Sequence, residues 1–339
     1  SSVRENYVLL RGEYDNRGDV ISTAAPASVM PYAETLPKNR LGLARWLTDP
    51  SHPLTARVAV NRYWQMIFGR GIVKTSEDFG TQGAAPTHQE LLDYLAVDFI
   101  ESGWDVKRLL RMMVLSETYR QSSRQSAQNR RIDPENQWLA RGPRRRLPAE
   151  FVRDHALSIS GLLTTKIGGP GVHPYQPAEL FGANAIGSSN ARFTQGTGDD
   201  LYRRSLYTFW KRTAPAPQMN ILDAPSRETC TVRRERTNTP LQALVLLNDP
   251  VFVECAQNLG ARLLKEVPAD EGDAASVIER RIQLAYELCF SRPPTEDELQ
   301  VVELLYKEAA GKQTVHSDRA AAFAVARVLL NLDEFITRE

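Results

Sequence analysis

A predominantly α-helical fold with a minor β component is what this sequence predicts, and three observations carry the prediction. Apolar residues recur at helical spacing over much of the chain, as in Leu41, Leu43, Ala44, Trp46 and Leu47. From Pro240 onward the chain reads as one helix after another, separated by short breaks. Stretches that favour strands are short: NYVLL and DVIST near the start, and Ser205–Trp210, where aromatic and β-favouring residues nearly alternate.

Taken in order, NYVLLRGEYDNRGDVIST predicts two short strands around a turn at Asp15–Gly18, followed by a proline-spaced connector from Ala25 to Pro37. Asn39 is placed to cap a first helix that ends before Pro50, and a second helix runs from about Leu54 to Phe68, stopped by Gly69. Gly69–Pro86 is a long irregular connection of the kind that often carries function. Thr87-His88-Gln89-Glu90 fits a capping box ahead of LLDYLAVDFIESG, and Val106 to about Thr118 is amphipathic. Arg120–Arg146 is polar and arginine-rich without an apolar period, so an exposed connection is expected there. Pro148 suits the first turn of a helix through AEFVRDHALSISGLL, after which residues 164–200 read as mostly irregular. The run Ser205–Trp210 predicts a strand, with the N-terminal strands as its candidate partners. Helices then follow at Leu241–Leu247, Val251–Leu264, Ala274–Leu288, Thr295–Ala309 and Asp318 to about Phe335. The expected organisation is N-terminal strands and connector (1–38), a helical core with long loops (39–240), and a C-terminal helical part (241–339) packed on the same domain.

Lys and Arg total 42 against 41 Asp and Glu, so there is no global field to attract nucleic acid or an anionic membrane. The local clusters Arg130-Arg131 and Arg144–Arg146 lack a recognition-helix pattern, and nucleic acid is not an expected partner. No window approaches the roughly 20 apolar residues of a membrane span, and SSVRENYVLL lacks a signal-peptide pattern, so a soluble chain already trimmed of any leader is expected. The 3 cysteines, Cys230, Cys255 and Cys289, show no zinc spacing and no haem-attachment motif. No cofactor is evident in this chain, and one disulfide stays open on sequence alone. The 5 histidines, His52, His88, His155, His173 and His316, are scattered without metal-ligand spacing, so no metal is expected. There is no GxSxG elbow and no phosphate-cradling glycine loop.

Three groups of residues are candidates for function. In RRERTNTPLQALVLLNDP, Arg233, Arg234 and Arg236 offer planar guanidinium forks to carboxylates, phosphates or sulfates, and Asn238 lies beside them. The same arginines can instead pair with Asp223, Glu228 or Glu235 and pin a loop, while Thr237 or Thr239 caps the helix at Pro240. Asn61, Arg62 and Trp64 can form a polar pocket with an aromatic wall together with the loop that carries Asp78, or Arg62 and Asp78 can make a clasp. Glu150 and Asp154 share a helix face at i and i+4, which suits either a weak metal site or an arginine-balanced network. Asp78, Glu150, Asp154 and Asp223 are the candidate acids for a carboxylate-based hydrolase.

The segments NRLGLARWLTDPSHPLTARVAVNRYWQMIFGRGIVKTSEDFGTQG, ESGWDVKRLLRMMVLSETYRQSS, RRSLYTFWKR and DAPSRETCTVRRERTNTPLQALVLLNDPVFVE resemble the planctomycete-type family known as domain of unknown function 1553. That family is the C-terminal module of large proteins that often carry a cytochrome c-like domain upstream. The resemblance implies a periplasmic or secreted location and partnership with a cytochrome c-like domain, an envelope protein or a polysaccharide. It also implies that any c-type haem sits on another domain or partner. Binding or scaffolding is the expected role, with carbohydrate hydrolysis or haem-linked oxidation as the alternative; the family supplies no catalytic residues to carry over.

Overall fold

Fourteen α-helices and two small antiparallel ladders make up the residues described by a computed structural model, namely 5–177, 193–211, 215–269, 273–311 and 317–338. The chain divides into two compact units, Ser1–Pro143 and Arg144–Glu339, where the sequence suggested boundaries after residues 38 and 240.

In the first unit, β1 (Asn6–Leu9) pairs with β2 (Arg17–Ile21). Helix α1 (Arg40–Leu47) is capped by Asn39, whose Oδ1 accepts from the N–H groups of Leu41 and Gly42. Helix α2 (Thr55–Phe68) ends at Gly69, which supplies the left-handed φ of 83° that a side chain would resist. The Gly69–Pro86 connection forms no helix or strand, and α3 (Gln89–Glu101) follows. Val60, Trp64 and Phe68 on one stripe of α2 pack with Leu92, Leu95 and Phe99 of α3, and the Trp64 and Phe68 rings stack at 4.0 Å. Helix α4 (Val106–Leu115) adds Leu109 and Met113, one turn apart.

Two expectations for this unit are corrected. Thr87 does not cap α3: its hydroxyl and N–H both donate to the Ile72 carbonyl, tying down the loop, and His88 occupies the N-cap. The helix expected from Val106 to Thr118 breaks at Ser116, whose extended backbone separates α4 from α5 (Glu117–Arg120). The arginine-rich stretch beyond also holds α6 (Ala127–Ile132), followed by a turn in which buried Asp133 accepts from the N–H groups of Gln137 and Trp138.

The second unit opens with β3 (Arg145–Arg146), which pairs with β4 (Thr337–Arg338), the last described residues. Helix α7 (Ala149–Ile159), the short α8 (Pro217–Ile221) and α9 (Pro240–Asn248) precede α10 (Pro250–Glu266). Then come α11 (Ala274–Phe290), α12 (Glu296–Ala310), α13 (Ser317–Leu329) and α14 (Asp333–Ile336). The terminal helix expected to reach Phe335 is thus two, interrupted after Leu329. Leu259 and Leu263 of α10 share a buried core with Val325 and Leu329 of α13. Gly260 permits the close approach of these helices, since a Cβ there would lie 3.0 Å from the Ala322 carbonyl carbon and the Phe323 nitrogen. Burying each such leucine contributes about 2 kcal/mol.

The strand expected at Ser205–Trp210 is a 3-10 turn at Ser205–Tyr207, flanked by single bridges from Thr164 to Arg203 and from Val172 to Thr208. Side chains take backbone groups at and just before the start of this stretch. Arg153, buried on α7, donates to the carbonyls of Leu201 (2.7 Å) and Arg203 (2.9 Å), and Asp154 accepts from the Ser205 N–H (2.7 Å). Arg203, itself buried, reaches the carbonyls of Lys166, Gly168 and Pro170 and lies 3.9 Å from the centre of the Tyr207 ring. Of the histidines, His316 falls outside the described residues, as do residues 178–192 of the region read as irregular and Arg212 of the third quoted motif.

Candidate functional site

The segment between α8 and α9 enters its loop through two non-glycine residues with positive φ. Asp223 and Arg227 both have φ near 63°, a conformation that aspartate tolerates and arginine seldom adopts. Asp223 sits just past the end of α8, where its N–H bonds back to the Asn220 carbonyl. Arg227 turns its guanidinium over the Trp210 ring at 4.5 Å, and the indole N–H donates to the Ser226 carbonyl at 3.0 Å. The loop is thereby pinned at its first lip.

Its second lip is held by Gln242, fully buried in the first turn of α9. The Gln242 amide donates to the Ile221 carbonyl (2.8 Å), Thr237 Oγ1 (3.0 Å) and Asp223 Oδ2 (3.1 Å). Its Oε1 accepts from the Thr239 N–H at 3.1 Å, half of a capping box, and from Arg146. Asp223 in turn accepts from the Thr237 N–H at 2.7 Å and hydroxyl at 2.8 Å. Arg146 also donates to the Thr237 carbonyl, and burial lowers its pKa against the raising effect of Asp223 and Asp333.

Between the lips lies an open cleft of about 350 Å³ whose walls include Asn220, Asp223, Ser226, Thr231, Arg233 and Arg234, with Glu235 at the same wall. Arg234 Nη1 reaches Glu150 Oε2 on α7 at 2.6 Å, and Arg227 Nη2 lies 3.9 Å from Glu150 Oε1. Arg233 and Arg236 are exposed and make no hydrogen bond or ion pair among the described residues. Such walls can hydrogen-bond hydroxyls and carboxylate or sulfate oxygens.

The structure does not bring the candidate residues into one place. Asn61 is buried, with its amide donating to the Val73 carbonyl and Ser76 Oγ (both 3.1 Å) and accepting from the Val73 N–H (2.9 Å). Trp64 belongs to the core and Arg62 is exposed, so these three side chains form no shared pocket. The expected Arg62–Asp78 clasp is replaced by Asn61, because a step of one residue turns Arg62 about 100° away from the loop. Asp78 accepts from the Gly80 N–H at 2.7 Å within its own turn. Glu150 and Asp154 resolve into the arginine-balanced alternative, Asp154 lying 3.8 Å from Arg153 and 3.9 Å from Arg204. Among the described residues, no cluster of His, Cys, Asp and Glu is arranged to hold a metal ion. Asp223 pairs with Thr237 and Gln242 in place of an arginine, Asn238 is exposed and is not part of the cleft wall, and Thr239 is the N-cap of α9.

Sequence reasoning passed over Gln242, Arg146, Arg227, Trp210, Asn220 and Thr231. For Gln242 a signal was present, since a Thr three residues before a Gln across a proline is a capping-box spacing; for the others the association is purely tertiary. All three cysteines are free thiols, Cys230 exposed and the other two buried, and burial pushes Cys255 up to about 11 and Cys289 up to about 12. Among the described residues, no helix is long and apolar enough to cross a membrane.

The model of a family described as PSD1, protein of unknown function (DUF1553), matches residues 39–306, from the cap of α1 into α12. No curated protein and no solved structure matches the chain.

Proposed function

We propose that this chain, which belongs to the PSD1 family of proteins of unknown function (DUF1553), is an extracytoplasmic binding module that holds a polysaccharide in the cleft between α8 and α9. The observation that carries this reading is an open polar cleft bounded by two residues in left-handed conformation, with a tryptophan–arginine stack at one lip. Asn, Ser, Thr and Arg side chains at this spacing suit the many hydroxyls of a sugar ring. The four candidate acids point away from hydrolysis: Glu150 and Asp154 face arginines, and Asp78 and Asp223 hold N–H groups. Among the described residues Glu235 is the cleft carboxylate without a hydrogen bond or ion pair, and one acid without a second facing it is not a glycosidase pair.

Oligosaccharide binding by the full chain tests the proposal. Asn220→Ala and Thr231→Ala should each weaken binding about three- to tenfold without changing the melting temperature. A panel of neutral and charged glycans that all fail to bind would sink it.

One feature favours a second reading, docking of a cytochrome c-like domain or envelope protein. Helix α9 carries no charged residue yet leaves Leu241 and Leu244 59% and 52% exposed. Leu241→Lys and Leu244→Lys would abolish such docking and leave glycan binding intact. Any haem-linked oxidation would use a haem on that partner, with this chain supplying the docking face.

A further inference from the structure

Glu150 is the counter-ion of Arg234, which lines the cleft. Its side chain is 17% exposed, and it presents one oxygen to Arg234 and the other toward Arg227, whose side chains are 42% and 39% exposed. The ion pair with Glu150 is the polar contact of Arg234 among the described residues, and it is a single Nη1–Oε2 contact at 2.6 Å. A guanidinium offers a two-pronged edge to a carboxylate or sulfate, so this pairing uses only part of what Arg234 can give. Both guanidinium groups are open to solvent on one side, so an incoming anion can reach them and replace Glu150 as their counter-ion. Arg233, in the same wall, has no counter-ion among the described residues.

From this arrangement we infer that the cleft selects acidic saccharides, carboxylated or sulfated, and that Glu150 is a built-in competitor which the ligand's anionic group displaces from Arg234 and Arg227. The inference rests on the polysaccharide reading and adds the ligand's charge and the residue that opposes it. Neutral sugars gain nothing from displacing Glu150, so the pair acts as a filter against them.

The test uses the full chain and three tetrasaccharides in calorimetric titrations at low salt: cellotetraose, tetragalacturonate and the sulfated tetrasaccharide of κ-carrageenan. The wild type should bind one or both acidic probes at least tenfold more tightly than cellotetraose, and the preferred probe tells carboxylate from sulfate. Glu150→Gln, which keeps the side chain's shape, should tighten acidic binding about fivefold and leave cellotetraose unchanged. In an Arg234→Gln background that gain should vanish; a gain that persists would mean a diffuse charge effect and would overturn the displacement. Equal binding of neutral and acidic probes, with Glu150→Gln changing neither, would overturn this inference and leave the polysaccharide reading standing. No binding of any probe by either protein would overturn both. Melting curves of each variant show whether a lost signal reflects lost folding, and Arg227→Gln gives an independent variant if Arg234→Gln does not fold.

Discussion

Replacing Gln242 by Met is the sharpest perturbation of the cleft. Methionine is nearly isosteric with glutamine, so little cavity or overpacking cost is added. Five polar contacts are removed: three from the amide to Ile221 O, Asp223 Oδ2 and Thr237 Oγ1, and two into Oε1 from Thr239 N–H and Arg146. Asp223 and Thr237 keep each other, and the Thr239 N–H lies at an exposed helix start where water can replace the glutamine. The Ile221 carbonyl and the half-buried Arg146 guanidinium lose a partner that water replaces poorly, at about 1–2 kcal/mol each. With the smaller losses the total is about 3 kcal/mol, a large fraction of the 5–15 kcal/mol of an ordinary domain. Urea unfolding followed by ellipticity should show the midpoint falling by about 1.5 M at a slope near 2 kcal/mol per M. A fall below about 0.5 M would refute the view that Gln242 ties the two lips together. Gln242→Glu serves as the companion: it keeps both acceptor contacts but sets a carboxylate against Asp223, so its deficit should shrink on mild acidification.

Asn61→Ala should destabilise the first unit by about 2–4 kcal/mol and expose the Gly69–Pro86 loop to limited proteolysis, because it leaves both backbone groups of buried Val73 without their side-chain partner; unchanged proteolysis would contradict this. Gly260→Ala gains helix propensity yet forces a Cβ to 3.0 Å from the α13 backbone, so a net loss of about 1–2 kcal/mol is expected in thermal melts, and a stabilised variant would show that the helices part freely. His155, stacked on Phe335 at 4.5 Å, is held below the ordinary imidazole value by burial, opposed by a hydrogen bond with the Phe335 backbone. Its neutral form is favoured in the fold, so its contribution is full above about pH 6.5 and declines as acidification protonates the unfolded chain first. His155→Phe should therefore flatten the stability profile between about pH 6.5 and 5. Glu298 is lowered to about 2, chiefly by its hydrogen bond from Arg292. Its contribution is complete above about pH 4.5 and is lost as pH falls toward 2, and Arg292→Gln should reduce that acid-range slope, the part held by the Thr295 hydrogen bonds remaining.

Much of the helical architecture was legible because each helix carries its own boundaries and its own apolar stripe. Asn39, Gly69, Pro240 and Thr295 act on backbone groups within a few residues, so their effect is written locally. Local signals failed where a distant side chain claimed the same backbone. Thr87 has the right neighbours for a cap, but its hydroxyl is taken by Ile72, and Ser205–Trp210 has the right residues for a strand, but Asp154 and Arg153 take the N–H and hydroxyl of Ser205 at its start.

The site divides in the same way. The sequence by itself determined that Arg233–Asn238 is a cationic, threonine-bearing entry to an apolar helix, since charge, cap and apolar run are consecutive there. Only the tertiary structure decided what those residues face. Glu150 lies 84 positions from Arg234 and Arg146 lies 96 from Gln242, so no local spacing links them. Packing of α7, α8 and α9 within one unit brings them together, and the direction in which each side chain leaves its helix sets which become cleft, clasp or core.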